Sequence, residues 1–313
     1  MTRFIIAAVT AAAFGLVSVP CVANDQAGKA APDWPGAHVE VYKRVGDVAL
    51  NMYIVGPQDR GRNEEAVPAV VFFFGGGWNS GTPRQFQEHC RYFAARGMVA
   101  MAADYRVASR HGVKAVDCVS DARSAVRWIR RNAKRLGVDP DRIVASGGSA
   151  GGHLAASTGV IASPDQPTEE IAISSIPNAL ALFNPVLATA PIDDKLPQTF
   201  IKEKYVRKRL GVAPKQLSPY HHVRAGAPPT IIFHGKADAT VPYWTAQGFT
   251  ERMQKAGNRC ELVGYDDQGH GFFNSGRGGN LHYVNTVRAM DRFLGSLGYL
   301  NGEPTLGDQA EER

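Results

Sequence analysis

A single serine lies among four glycines in the segment Gly147-Gly148-Ser149-Ala150-Gly151-Gly152. The Gly-x-Ser-x-Gly spacing is typical of a nucleophile held on a sharp turn between a strand and a helix. The apolar residues up to Ser146 predict the strand, and the alanine-rich stretch from Ala150 predicts the helix, whose N-terminus favours developing negative charge. On this motif alone, a glycine-rich turn that merely packs a helix against a sheet remains an open alternative.

A serine hydroxyl needs a base to take its proton, commonly a histidine oriented by a carboxylate. His270 lies between two glycines after the last predicted strand, and Asp238 directly follows the strand before it. The alternative for His270 is an ordinary histidine of a surface loop. The alternative for Asp238 is an N-cap of the following helix. Asp266 and Asp267 are rival carboxylates, but they lie too close to His270 in sequence for an easy approach. We therefore predict a catalytic triad, in the chain order Ser149, Asp238, His270.

Acyl transfer also needs hydrogen-bond donors for an oxyanion. The segment Phe74-Gly75-Gly76-Gly77-Trp78 follows a buried strand, and its glycines let backbone N–H groups approach a substrate closely. We predict an oxyanion hole made by the amides of Gly76, Gly77 and Ala150. A simple glycine-rich turn is the alternative. Trp78 is a candidate substrate-binding residue, and core packing is an equal alternative for it.

The elements that must position these residues alternate between strands and helices. The predicted strands after an N-terminal hairpin turning at Gly46-Asp47 are Val67–Phe74, Met98–Ala103, Arg142–Ser146, Ala179–Phe183, Thr230–Phe233 and Glu261–Tyr265. The predicted helices are Pro83–Arg96, Ala115–Leu136, Ala150–Val160, 242–256 and 281–297. This pattern predicts an α/β fold whose central sheet is mostly parallel and covered by helices on both faces, so that functional loops gather at the carboxyl ends of the strands.

The domain organisation follows from the same pass along the chain. Residues 1–23 have a basic start, an apolar run and a small-residue cleavage site near Ala23, which predicts a signal peptide and a secreted or periplasmic protein. Residues 24–37 are interpreted as a mobile segment, residues 38–300 as one catalytic domain and residues 301–313 as a tail. Residues 185–220 are mixed in character and are interpreted as a small lid or insert.

Composition excludes several other classes. The 313 residues are 44% hydrophobic, which is enough for a large globular core. The formal net charge of +6 is spread along the chain, so no nucleic-acid partner is expected, and no segment after the signal peptide predicts membrane insertion. No residue spacing suggests a metal site. Cys90, Cys118 and Cys260 are expected to be buried free thiols, with one disulfide left open.

Five stretches together resemble the α/β-hydrolase superfamily: FFFGGGWNSGTP, DYRVASRHGV, GGSAGGHLAA, HGKADATVP and GHGFFN. The chain resembles the serine esterases and lipases with an HGGG-type oxyanion loop, and more narrowly the secreted bacterial acetyl, acetylxylan and feruloyl-like carbohydrate esterases. Phe74 replaces the histidine that usually braces this loop, which puts the support of the loop in question. His153, His221 and His222 are interpreted as structural residues.

The resemblance and the residues together predict a secreted serine carboxylesterase that needs no cofactor and hydrolyses short-chain, acetyl esters of saccharides. Two alternatives are a serine peptidase of the prolyl-oligopeptidase type and a non-catalytic binding protein with a hydrolase fold. The peptidase usually carries an N-terminal propeller, for which residues before 68 leave no room. A binding protein commonly lacks a triad member, and here all three are present. The oligomeric state stays open.

Overall fold

The computed structural model describes residues 34–57, 65–162, 172–195, 197 and 203–306. The predicted signal peptide, most of the segment 24–37 and the end of the tail lie outside the described residues. Within the described part of the chain, no helix combines the length and the apolar character that crossing a membrane requires.

One eight-stranded sheet organises the described residues. Its strands are β1 (His38–Val45), β2 (Val48–Val55), β3 (Val67–Phe73), β4 (Val99–Ala103), β5 (Val138–Gly148), β6 (Ala179–Phe183), β7 (Thr230–Gly235) and β8 (Cys260–Tyr265). The order across the sheet is β1-β2-β4-β3-β5-β6-β7-β8. The pairs β1–β2 and β2–β4 are antiparallel and all the others are parallel, and β1 and β2 form the predicted hairpin. The predicted fold class is confirmed.

Helices cover both faces of this sheet. They are α1 (Gln87–Ala95), α2 (Ala108–His111), α3 (Ala115–Arg131), α4 (Ala133–Leu136), α5 (Ala150–Val160), α6 (Glu203–Leu210), α7 (Pro219–His222), α8 (Tyr243–Lys255) and α9 (Leu281–Ser296). Residues of β3 alternate between two core layers: Val71 and Phe73 pack on the side of α3, α5 and α8, whereas Val70 and Phe72 pack on the side of α1 and α9. A strand buried on both faces explains the continuous apolar run.

Two predicted helices differ from the structure. The helix predicted over Ala115–Leu136 is interrupted at Asn132, whose side-chain amide donates to the Trp128 carbonyl and divides α3 from α4. The helix predicted over Pro83–Arg96 begins with a 3₁₀ turn, Pro83–Phe86, because proline is accommodated at such a helix start.

The two ends of the described domain are attached more firmly than predicted. Trp34 is 5% exposed and stacks on Tyr53, so residues 34–37 belong to the domain and not to a mobile segment. The first residues of the predicted tail are also held, because the Arg96 guanidinium donates to the carbonyls of Asn301 and Gly302.

The predicted insert, residues 185–220, contains the helices α6 and α7 and a 3₁₀ turn between them. These helices pack against α3, α5 and α8. Cys90, Cys118 and Cys260 are all free and buried, which settles the open alternative in favour of thiols.

Candidate active site

Ser149 occupies the turn between β5 and α5 with φ 54° and ψ −118°, a backbone conformation that a residue with a side chain rarely adopts. The glycines on each side permit it. A Cβ at Gly147 would lie 2.6 Å from the Phe73 carbonyl oxygen, and one at Gly151 would lie 2.0 Å from the same oxygen. The turn therefore fits against β3 only with glycine at both positions, as the motif predicted.

Backbone hydrogen bonds hold this strained turn in place. The Ser149 amide donates to the Phe183 carbonyl at the end of β6 over 2.8 Å, and the Ser149 carbonyl accepts from the His153 amide over 3.0 Å. The hydroxyl is thereby fixed at the carboxyl edge of the sheet.

The structure brings the three predicted triad residues together. His270 Nε2 lies 2.9 Å from Ser149 Oγ, and His270 Nδ1 lies 2.7 Å from Asp238 Oδ2. Because a carboxylate only accepts, Nδ1–H donates to Asp238, and Nε2 is left to accept the Ser149 hydroxyl proton. The geometry is that of a nucleophile, a general base and an orienting carboxylate.

The carboxylate of Asp238 is buried and surrounded by donors. Its Oδ1 accepts from the amides of Thr240 and Val241 over 2.8 and 2.9 Å, and its Oδ2 accepts from Asn184 Nδ2 over 2.6 Å. Burial acts to raise the pKa of Asp238. The contact with His234 and the hydrogen bonds from His270 and the Val241 amide outweigh it and hold that pKa well below its ordinary value. Asp238 is therefore an anion throughout the neutral range.

The three predicted oxyanion donors line one cavity beside Ser149. Gly76 has φ 127° and Gly77 has φ 61°, and a Cβ at Gly76 would lie 2.1 Å from the Ser80 carbonyl oxygen. Among the described residues, no hydrogen bond uses the amides of Gly76 or Gly77. The Ala150 amide opens α5, where the first N–H groups have no partner within the helix. All three amides are thus available for an oxyanion.

The loop that carries these glycines is supported without the usual histidine. The ring of Phe74 stacks on Tyr105 with centroids 4.0 Å apart, and the Tyr105 hydroxyl donates to the Phe74 carbonyl over 2.7 Å. The Gly75 amide donates to Gln85 Oε1 over 2.6 Å, and Gln85 Nε2 donates to Asn274 Oδ1 over 2.9 Å. Aromatic stacking and an amide bridge brace the loop.

The cavity has a volume of about 330 Å³ and also includes Val186, Phe273 and Arg277 in its wall. The prediction that Trp78 binds substrate is wrong. Trp78 is 1% exposed, is absent from the cavity lining, and packs in the core, where its indole Nε1 donates to His153 Nδ1 over 3.3 Å. Of the described residues in the insert 185–220, only Val186 reaches the cavity wall.

The other candidate histidines have structural contacts. His153 is buried between Trp78 and the Leu217 carbonyl, to which its Nε2–H donates over 2.7 Å, and burial lowers the pKa of His153 to about 4. His221 contacts Ser218 Oγ, and His222 contacts the Lys215 carbonyl. The rival carboxylate Asp266 pairs with Lys236 and lies at the surface.

Sequence reasoning missed Asn184, Gln85 and Tyr105. Asn184 is the first residue after β6, so a polar side chain at the end of a buried strand was a usable signal. Gln85 is 189 residues away from its partner Asn274, and no local pattern connects them. Tyr105 lies just after β4, and no local pattern distinguishes it from other aromatic residues.

The doubly covered sheet and the Ser-His-Asp arrangement at its carboxyl edge are those of the serine hydrolases of the α/β-hydrolase fold. A family model described as BD-FAE matches residues 54–253, and one for the dienelactone hydrolase family matches residues 210–297. The chain belongs to the BD-FAE family.

Named relatives agree with this class. The thermophilic esterase Est2 of Thermogutta terrifontis is 56% identical, with a TM-score of 0.82 over 87% of this chain and 96% of that one. Esterase LipC of Mycobacterium tuberculosis is 31% identical over 66% of this chain and 53% of its own. The probable carboxylic ester hydrolase LipM of the same organism is 30% identical over 60% and 45%. The chain thus spans about half the length of these two curated relatives.

Proposed function

We propose that the protein is a secreted serine carboxylesterase that hydrolyses short-chain esters, chiefly acetyl esters of saccharides. The observation that carries the proposal is the continuous chain of hydrogen bonds from Ser149 Oγ through His270 to Asp238. Free amides beside the nucleophile supply the second requirement of acyl transfer.

The reaction uses each of these groups in turn. Ser149 Oγ attacks the ester carbonyl while His270 Nε2 takes its proton, and the amides of Gly76, Gly77 and Ala150 stabilise the oxyanion. His270 then protonates the leaving alcohol. A water molecule, deprotonated by His270, hydrolyses the acyl-enzyme and frees Ser149.

Support for a short acyl chain comes from a relative. Structures of the Thermogutta terrifontis esterase carry propionate and butyrate. Support for a saccharide alcohol and for secretion is the resemblance and the signal-like segment 1–23 described above.

The test is a series of 4-nitrophenyl esters from acetate to long acyl chains, with a peptide substrate and acetylated xylan beside them. We expect fastest turnover of the shortest esters, acetate release from the glycan and no peptide cleavage. Ser149→Ala should lose at least about 10⁴-fold in kcat. The matched control Ser157→Ala removes a buried hydroxyl with no hydrogen-bond partner and should keep the activity. Equal ester rates for Ser149→Ala and wild type contradict the mechanism. Export is tested separately by sequencing the N-terminus of the exported protein, which should begin near Asn24.

A further inference from the structure

One wall of the catalytic cavity carries three polar side chains, Gln85, Asn274 and Arg277. Two of them are already engaged within the protein. Both ends of the Gln85 amide are bonded, to the Gly75 amide and to Asn274, and the Asn274 amide group donates to the Gly271 carbonyl over 2.8 Å. These two residues brace the loops of the site, and their side-chain amides have few hydrogen-bonding groups left for a substrate.

Arg277 differs from its two neighbours. Its guanidinium has five N–H donors, and among the described residues its one hydrogen bond is a long contact of 3.5 Å to the His270 carbonyl. No carboxylate in the described part of the chain pairs with it. Most of its N–H donors therefore face the cavity and the solvent and have no hydrogen-bond partner among the described residues.

The electrostatics of the cavity reinforce this difference. No aspartate or glutamate is among the residues that line it, and Arg277 is its one permanently charged side chain within the described residues. The N-terminus of the 11-residue helix α5 meets the cavity at Ala150 and adds partial positive charge. The cavity therefore favours an anion.

The backbone holds Arg277 in this position. The amide of Gly276 donates to Asn280 Oδ1 over 2.5 Å, and the amide of Asn280 donates to the Arg277 carbonyl over 2.8 Å. A second backbone bond runs from the Arg277 amide to the Asn274 carbonyl. These hydrogen bonds hold the loop that carries Arg277 in place beside the triad.

We propose that Arg277 binds a carboxylate of the substrate, so that the enzyme prefers esters carrying an acidic group near the ester bond. The planar guanidinium fork matches a carboxylate with two parallel hydrogen bonds. This inference rests on the proposed carboxylesterase function and names the substrate class of the same site.

The test compares esters that differ only in a carboxylate and its uncharged amide. Monomethyl succinate against methyl succinamate places the group in the acyl part, and O-acetyl-lactate against O-acetyl-lactamide places it in the alcohol part. The readout is the ratio of kcat/KM for the acid over the amide, at low ionic strength. We expect a ratio of about ten or more in one pair, which identifies the part of the substrate that Arg277 contacts, and a fall of that ratio with added salt.

Variants separate Arg277 from the general charge of the protein. Arg277→Gln should bring the ratio to about one, Arg277→Glu should reverse it, and Arg277→Lys should give an intermediate value because it keeps the charge without the fork. Arg44→Gln, an exposed arginine on β1, should keep the wild-type ratio. Hydrolysis of both pairs at ratios near one overturns this inference and leaves the proposed function standing. If neither ester pair and none of the 4-nitrophenyl esters is hydrolysed, both this inference and the proposed function are overturned.

Discussion

Two of the buried carboxylates among the described residues, Asp121 and Asp238, are neutralised in different ways. Asp121 on α3 contacts two permanent cations, Lys43 Nζ at 3.0 Å and Arg106 Nε at 2.8 Å. Asp238 contacts the uncharged donors Asn184, Thr240 and Val241 and two histidines, and among the described residues it has no lysine or arginine partner.

In the proposed function, this difference separates a structural charge from a catalytic one. Asp121 is compensated in the resting protein, so it holds α3 to β1 and to the segment after β4. Asp238 is held ionised by dipoles alone, so its attraction for a new positive charge remains available. In the proposed mechanism His270 acquires that charge only when it takes the Ser149 proton, and Asp238 then stabilises the imidazolium.

The strongest test of this comparison removes the charge of Asp238. Asp238→Asn keeps the shape but leaves His270 without its acceptor and in the wrong tautomer, so kcat should fall by about 10⁴-fold. The melting temperature should also fall, because the amide cannot accept from all the donors that hold Asp238 ionised, but the folded fraction should suffice for kinetics. Ester kinetics and a melting curve measure the two effects, and retention of a tenth of the activity would sink the role given to Asp238.

The same substitution at the other carboxylate should lower stability and spare catalysis. Asp121→Asn leaves the charges of Lys43 and Arg106 buried without their partner, which should cost about 3–5 kcal/mol of stability. The triad is untouched, so kcat of the folded fraction should stay near the wild-type value. Urea unfolding and active-site titration by an organophosphate separate stability from activity. A large loss of kcat per titrated site would show that Asp121 is not purely structural.

Sequence reasoning succeeded where a function depends on one short segment. The turn at Ser149 needs glycines at fixed spacing, and Asp238 and His270 each follow a strand, so local patterns located all three. It failed where a role depends on distant partners. Trp78 follows the oxyanion glycines, yet its indole is buried against His153, 75 residues away. Asn184 showed only as a polar residue after a strand, because its partner Asp238 is 54 residues further on.

A smaller effect on the Asp238 carboxylate is expected from a change at Asn184, which is one of its hydrogen-bond donors. Asn184→Ala removes one donor from the Asp238 carboxylate, and a hydrogen bond to a charged group contributes about 1.5–3 kcal/mol. We expect the pKa of Asp238 to rise towards its ordinary value and kcat to fall by about ten- to a hundredfold. Pairing this change with Asp238→Asn in a double-mutant cycle supplies the control. Additive losses in that cycle contradict a role that acts through Asp238.

Another buried ionisable group, His89, extends the comparison to a side chain that has no hydrogen-bond partner among the described residues. Both ring nitrogens lack a hydrogen bond, and burial lowers the pKa of His89 from 6.5 to about 3. The folded state therefore keeps it neutral while the unfolded chain binds a proton below pH 6.5. Its contribution to stability is present above pH 6.5 and is lost as the pH falls towards 3.

His89→Leu should remove that acid sensitivity. Between pH 7.5 and 5.0, the wild-type free energy of unfolding should decrease by about 2 kcal/mol more than that of the variant, because each unit below pH 6.5 corresponds to about 1.4 kcal/mol. His38→Leu, at a histidine whose side chain is 71% exposed, should keep the wild-type pH dependence. Urea unfolding at several pH values measures the difference. Parallel curves for wild type and His89→Leu would mean that His89 is protonated in the fold, and that a buried charge here needs neither the cations of Asp121 nor the dipoles of Asp238.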